Sequence, residues 1–110
     1  MAYDAELAGR VRERMAAVAG VSEKKMFGGI AFLTHGHMTV GIYGDGILAR
    51  IEPGTMDQVL ATEPGTRPFD MGGRQMQGWI LVAREELADD DELDRWIGRC
   101  RSYVATLPAK

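Results

Sequence analysis

The sequence predicts a two-layer α+β domain in which an antiparallel sheet of about five strands is flanked by an N-terminal and a C-terminal helix. Apolar residues recur at helical spacing near both ends, alternate at strand spacing through the middle, and are separated there by glycine-rich turns. The 110 residues sit near the commonest domain size, so one hydrophobic core and one domain over 1–110 are expected. The order read along the chain is helix, strands, short helix, strand, helix.

Leu7, Val11, Met15 and Val18 fall on one stripe of a helix running from Asp4 to Ala19, with Asp4 as N-cap and Gly20 as stop. Arg10, Glu13 and Arg14 lie on its outer face. After Gly20 the period changes to that of a strand, from Val21 to Phe27, which runs into the bend-permitting pair Gly28 and Gly29. Ile30 to Thr34 and the alternating run Met38, Val40, Ile42 make a hairpin around His35, Gly36 and His37. Gly44-Asp45-Gly46 has the chemistry of a type I′ turn, and Ile47 to Ile51 then pairs back on the preceding strand.

Pro53 and Gly54 end this meander. Thr55 stands three residues before Gln58, the spacing of a capping box, and predicts a helix of about two turns around Val59 and Leu60. The stretch 63–73, with Pro64, Gly65, Pro68, Gly72 and Gly73, reads as an ordered loop, and Met71 beside the double glycine is expected to be exposed. Met76, Gly78, Ile80 and Val82 alternate with Gln77, Trp79 and Leu81 in a last strand. Leu93, Trp96, Ile97, Cys100, Val104 and Leu107 then mark a C-terminal helix, capped by the acidic run from Asp89 and stopped by Pro108. Gly98 costs that helix about 1 kcal/mol, a cost often tolerated where a neighbour packs closely.

If Met38, Val40, Ile42, Ile80 and Val82 face the helices, Tyr43, Trp79 and Leu81 lie on the opposite sheet face. Exposed aromatics on such a face commonly find a partner, so a protein partner or a homodimer is expected there. Met15, Met38 and Met76 are expected to fill the core.

Met26-Phe27-Gly28-Gly29 leading into Ile30 to Leu33, the strand from Met38, Arg67-Pro68-Phe69, Met76-Gln77-Gly78-Trp79, and the ending from Trp96 through Leu107-Pro108 occur in an order that resembles the TfoX N-terminal domain family over nearly the whole chain. The resemblance implies an antiparallel sheet flanked by terminal helices, similar in layout to secretion chaperones, and a regulatory or adaptor role through protein contacts. The family's namesakes regulate natural competence with a transcription factor and carry a second, C-terminal domain. That domain is not expected in a chain ending at Lys110.

Charge narrows the function classes. Thirteen Lys and Arg against sixteen Asp and Glu give a net charge of −3, and the basic residues are scattered among acids, so direct nucleic-acid binding is not expected. The single cysteine excludes an intramolecular disulfide and fits a reducing, cytoplasmic setting. No stretch approaches the roughly 18 apolar residues of a membrane span, and the N-terminus lacks the pattern of a signal peptide.

Candidate sites are few. His35 and His37 are two possible ligands without a third and read as a solvated turn, so no metal is expected. Cys100, on an apolar helix face, reads as a buried thiol. Gly28-Gly29 and Gly72-Gly73-Arg74 fit neither phosphate-loop pattern. Arg50, Arg67 and Arg74 would form an anion site if the 63–73 loop folded over the sheet, which makes a small anionic-ligand-binding module the alternative function. No cofactor is implied, and no acid, base and nucleophile set suggests an enzyme.

Overall fold

Asp4 starts the first helix: its Oδ1 accepts the backbone N–H of Leu7 at 3.0 Å, and α1 runs Ala5–Met15. In the computed structural model residues 3–26, 28–71 and 73–108 are described. The readings that involve Phe27 and Gly72, and that of the Met71 side chain, lie outside the described residues. The helix ends earlier than Ala19 because the N–H groups of Ala16 and Val18 bond three residues back, to Glu13 and Met15, which tightens the chain into turns. Leu7, Ala8, Val11 and Met15 are buried along one stripe.

Strands β1 (Val21–Met26), β2 (Gly29–Thr34), β3 (His37–Tyr43) and β4 (Gly46–Arg50) form the meander, followed by α2 (Met56–Thr62), β5 (Thr66–Met71), β6 (Arg74–Val82) and α3 (Asp90–Val104). The sheet has six strands in the order β1-β2-β3-β4-β6-β5, with antiparallel neighbours throughout. The additional strand, β5, lies in the stretch expected to be a loop. Its Pro68 is tolerated because β5 is an edge, where a missing N–H removes no ladder bond, and Gly65 and Gly73, both at positive φ, punctuate its ends.

Register gathers the apolar residues on one face. Ile30, Ile42, Ile47 and Val82 make one row across β2, β3, β4 and β6, and Phe32, Val40, Ala49 and Ile80 make the next. These rows join Leu7, Val11 and Met15 of α1, Met56 and Val59 of α2, and Leu93, Trp96, Ile97 and Cys100 of α3 in one buried cluster. The helices therefore cover a single face.

Two irregularities overturn the simple alternation. In β3 the register against β2 shifts so that Val40 opposes Phe32 and Met38 opposes Leu33, which leaves Thr39 as the extra residue of a bulge. Thr39 is buried and hydrogen-bonds Thr34 at 2.9 Å, and the shift moves Met38 off the helix side, half-buried beside Leu33. In β6, Gly78 has φ +84°, and its carbonyl accepts Ile51 N–H at 2.8 Å while its own N–H meets Met56 Sδ. Beyond it β6 no longer pairs with β4, so Met76 is 37% exposed rather than in the core. Of the methionines expected inside, Met15 is fully buried.

The turns also differ from expectation. Positive φ at both His35 (50°) and Gly36 (85°) gives the β2–β3 connection the type I′ geometry. At Gly44-Asp45 only Gly44 has positive φ, the pattern of a type II′ turn between Tyr43 and Gly46. The Thr55 hydroxyl donates back to the Glu52 carbonyl instead of capping α2, so no capping box forms.

Ion pairs clamp α3 at both sides. Arg10 and Arg14 of α1 hold Asp90, and Arg14 Nε lies 2.8 Å from Asp94 Oδ1 without aiming its N–H along that line. Arg95 grips Glu63, at the end of α2, through two bonds of 2.8 and 3.0 Å, and Arg99 adds a third at 3.2 Å. The hydrogen bonds from Arg95, helped by Arg99, hold the Glu63 carboxyl below the usual carboxylate range. The Cβ position of Gly98 is open, so no close neighbour accounts for the glycine.

Gly9, like Gly98, has an open Cβ position in a helix, so Gly9→Ala is expected to raise stability by up to about 1 kcal/mol in thermal or urea denaturation. Gly78→Ala is expected to lower it by about 2 kcal/mol, because the left-handed φ and an Ile51 oxygen 3.0 Å from the new Cβ both oppose it. A lowered carboxylate pKa stabilises above the unfolded value and loses that contribution as pH falls through the folded one. Glu63→Gln is therefore expected to destabilise at pH 7 by less than about 1 kcal/mol, since Arg95 is 40% exposed. The difference from wild type should begin to shrink as pH falls below the ordinary carboxylate value of about 4.3 and vanish only below the lowered folded one.

Candidate functional site

The sheet face away from the helices is assembled by the residues that alternate with the core rows. One row crosses all six strands as Lys24, Ala31, Gly41, Leu48, Leu81 and Arg67. Its centre is small or apolar and buried, and its two ends are exposed cations. Tyr43, at the end of β3, is 37% exposed, while Trp79 and Leu81 on β6 are half-buried. Phe69 of β5 is buried and meets Tyr43 edge to face, with ring centres 5.4 Å apart. Register thus puts Tyr43, Trp79 and Leu81 at positions of the face where sequence alternation had placed them.

Arg50, the last residue of β4, pairs with Trp79 in register and bridges the end of the strand. Its Nη1 donates to the Met38 carbonyl at 3.2 Å, and its guanidinium carbon stands 5.3 Å from the Trp79 ring centre and 5.9 Å from that of Tyr103 in α3. A cation held between two π faces is fixed in direction and partly desolvated. Arg50 therefore stiffens the Trp79 side of the face. The pairing with Trp79 and Tyr103 escaped sequence reading because Trp79 lies across β6 and Tyr103 on the last helix, far along the chain.

The other two arginines take different places. Arg67 opposes Leu81 on edge strand β5 and is exposed, whereas Arg74 opposes Met71 at the β5–β6 turn. Arg74 stands five residues along β6 from Trp79, the partner of Arg50, a separation of about 16 Å in extended chain. Arg50 and Arg67 flank β6 on one face, and Arg74 is not with them.

His35 sits exposed at its turn, but His37 is buried, 9% exposed, with Nε2 against the Pro108 carbonyl. Because a carbonyl only accepts, that nitrogen carries the proton. The solvated-turn reading therefore fails for His37, which begins β3 and is covered by the chain after α3. Among the described residues no group of three or more His, Cys, Asp or Glu is placed to hold a metal ion. Cys100 is buried, and burial pushes its thiol up to about 12, against weaker opposing effects of the Arg50 backbone and the Arg99 charge.

The family model described as TfoX N-terminal domain matches residues 13–103. No curated protein and no solved structure gives a significant match to the chain.

Since only the thiolate attacks a disulfide reagent, Cys100 is expected to be inert to Ellman's reagent in the native protein at pH 8 and to react fully once urea unfolds it. Rapid native labelling would show that the last helix opens.

Proposed function

The chain belongs to the TfoX N-terminal domain family, and from that membership we propose that it is a regulatory or adaptor domain that works by contacting a protein through the helix-free face of its sheet. The observation that carries this reading is the composition of that face. A buried apolar centre lies beside the partly exposed Tyr43, Trp79 and Leu81, with Arg50 stacked on Trp79. Tyr, Trp and Arg are the residue types that dominate protein interfaces, and charged residues at the rim are their usual surround. Either a second copy of the chain or a different protein fits such a surface.

The reading is non-enzymatic and places the protein in the cytoplasm, where a lone buried thiol needs no protection. Among the described residues no helix is long and apolar enough to cross a membrane. Direct binding to nucleic acid is disfavoured by the pairing of the arginines: Arg12 with Glu23, Arg84 with Asp4 and Glu6, Arg10 and Arg14 with Asp90, Arg95 and Arg99 with Glu63. A phosphate backbone would have to displace those carboxylates. The alternative, an anionic ligand on Arg50, Arg67 and Arg74, has less support because Arg50 is already engaged and Arg74 stands apart.

The test is site-specific photo-crosslinking in cells, with benzoylphenylalanine at position 43 or 81 and, as control, at Asp91 on the exposed start of α3. Defined protein adducts from the first two positions and none from the third are expected, and sedimentation equilibrium tells a second copy from another protein. Adducts arising equally from all positions, or none from positions 43 and 81, would overturn the reading.

A further inference from the structure

A groove of about 590 Å³ opens on the helix side of the molecule, between the C-terminal half of α3 and the β2–β3 turn. Val18, Val104 and Leu107 give it an apolar wall, and His35, Arg101 and Ser102 bring polar atoms to it. No Asp or Glu is among its described lining residues. The grooves lined by Glu52, by Asp45 and Glu85, by Glu6 and Asp90, and by Glu23 each carry an acid. Arg10, Arg12, Arg14, Arg84, Arg95 and Arg99 face carboxylates, whereas among the described residues Arg50, Arg67 and Arg74 do not. Arg101 is exposed and makes no ion pair among the described residues.

Two local choices that cost stability meet at this groove. Gly98 occupies the interior of α3, where alanine would be better by about 1 kcal/mol, yet no neighbour within 4 Å requires the absence of a side chain. The space so left is part of the groove. His35 holds the left-handed conformation, φ 50°, at the first position of a type I′ turn, which asparagine or glycine adopts more readily. Its ring lies over Gly20, where an added Cβ would collide with it, and forms one side of the groove. Departures from the locally best residue that converge on one concavity mark function more often than packing. The volume and the mixture of apolar wall with a few polar groups are those of a small-molecule site.

We propose that this groove binds a small organic anion with an apolar body. The anionic group sits with Arg101 and Ser102 beside His35, and the body lies against Val18, Val104 and Leu107 in the space above Gly98. The site is on the other side of the sheet from Tyr43, Trp79 and Leu81, and it shares no residue with Arg50, Arg67 and Arg74, so it stands or falls independently of the protein-contact reading.

The test is titration of the isotopically labelled protein with octanoate, followed by amide chemical shifts. Saturable binding with shifts confined to residues 18–19, 34–37 and 98–107 is expected. Arg101→Gln, a surface change that leaves the fold intact, and Gly98→Leu, which fills the groove while improving the helix, should each weaken binding about tenfold or more. The uncharged 1-octanol should bind about tenfold more weakly than octanoate. The proposal is overturned if octanoate does not saturate up to about millimolar concentration, if the shifts centre elsewhere, or if either variant or 1-octanol binds as tightly as octanoate binds the wild type.

Discussion

Every part of this fold depends on holding the rows Ile30–Ile42–Ile47–Val82 and Phe32–Val40–Ala49–Ile80 on one face of the sheet. The side-chain period of a strand is two, so a slip of one residue in any pairing would turn a row of isoleucines and valines to the other side. The register is fixed by short turns at both ends of β3, each closed by two residues with left-handed glycines, and by the Thr39 bulge, which brings Val40 rather than Thr39 opposite Phe32. The cost of misplacing a row is several buried side chains, each contributing roughly 1.5–3 kcal/mol when shielded from water. That penalty outweighs any single ion pair on the surface, so the arginine clamps on α3 orient the helix but do not hold the molecule together.

The constraint also explains how far the chain could be read by eye. Periodicity identified α1, the meander, β6 and α3, because in each the apolar spacing is unbroken over two turns or two pairs. It failed where the backbone departs from the regular period. A bulged Thr39 changed the side of Met38, and a left-handed Gly78 released Met76 from the core, and neither event leaves a signature beyond an ordinary threonine or glycine. The strand around Pro68 was hidden by its own punctuation, since Pro64, Gly65 and Pro68 look like loop chemistry unless the strand is known to be an edge. The family resemblance, carried by motifs from Met26 to Pro108, agrees with the family match over residues 13–103.

The candidate surfaces were legible in part for the same reason. Alternation put Tyr43, Trp79 and Leu81 opposite the helices without any knowledge of contacts, and the register agrees. The three arginines were different, because their grouping depended on a loop folding over the sheet, and that segment extends the sheet edge instead. The groove beside α3 had two traces in the sequence, an unexplained Gly98 and a histidine where a tight turn favours asparagine. Each alone was ordinary; the fold brings them together.

The placement of α3 has a consequence for how the chain reaches this state. Strands β2, β3 and β4 meet through two-residue turns, so their contacts are local and assemble quickly. The helix that covers them begins only at Asp90, some 40 residues after β4 ends at Arg50. During synthesis, the meander can form with α1 already made, while the part of the isoleucine rows that α3 covers still faces solvent, awaiting Leu93, Trp96 and Ile97 from the ribosome. Chaperone demand should therefore concentrate in that interval, when a half-built sheet presents its most adhesive surface.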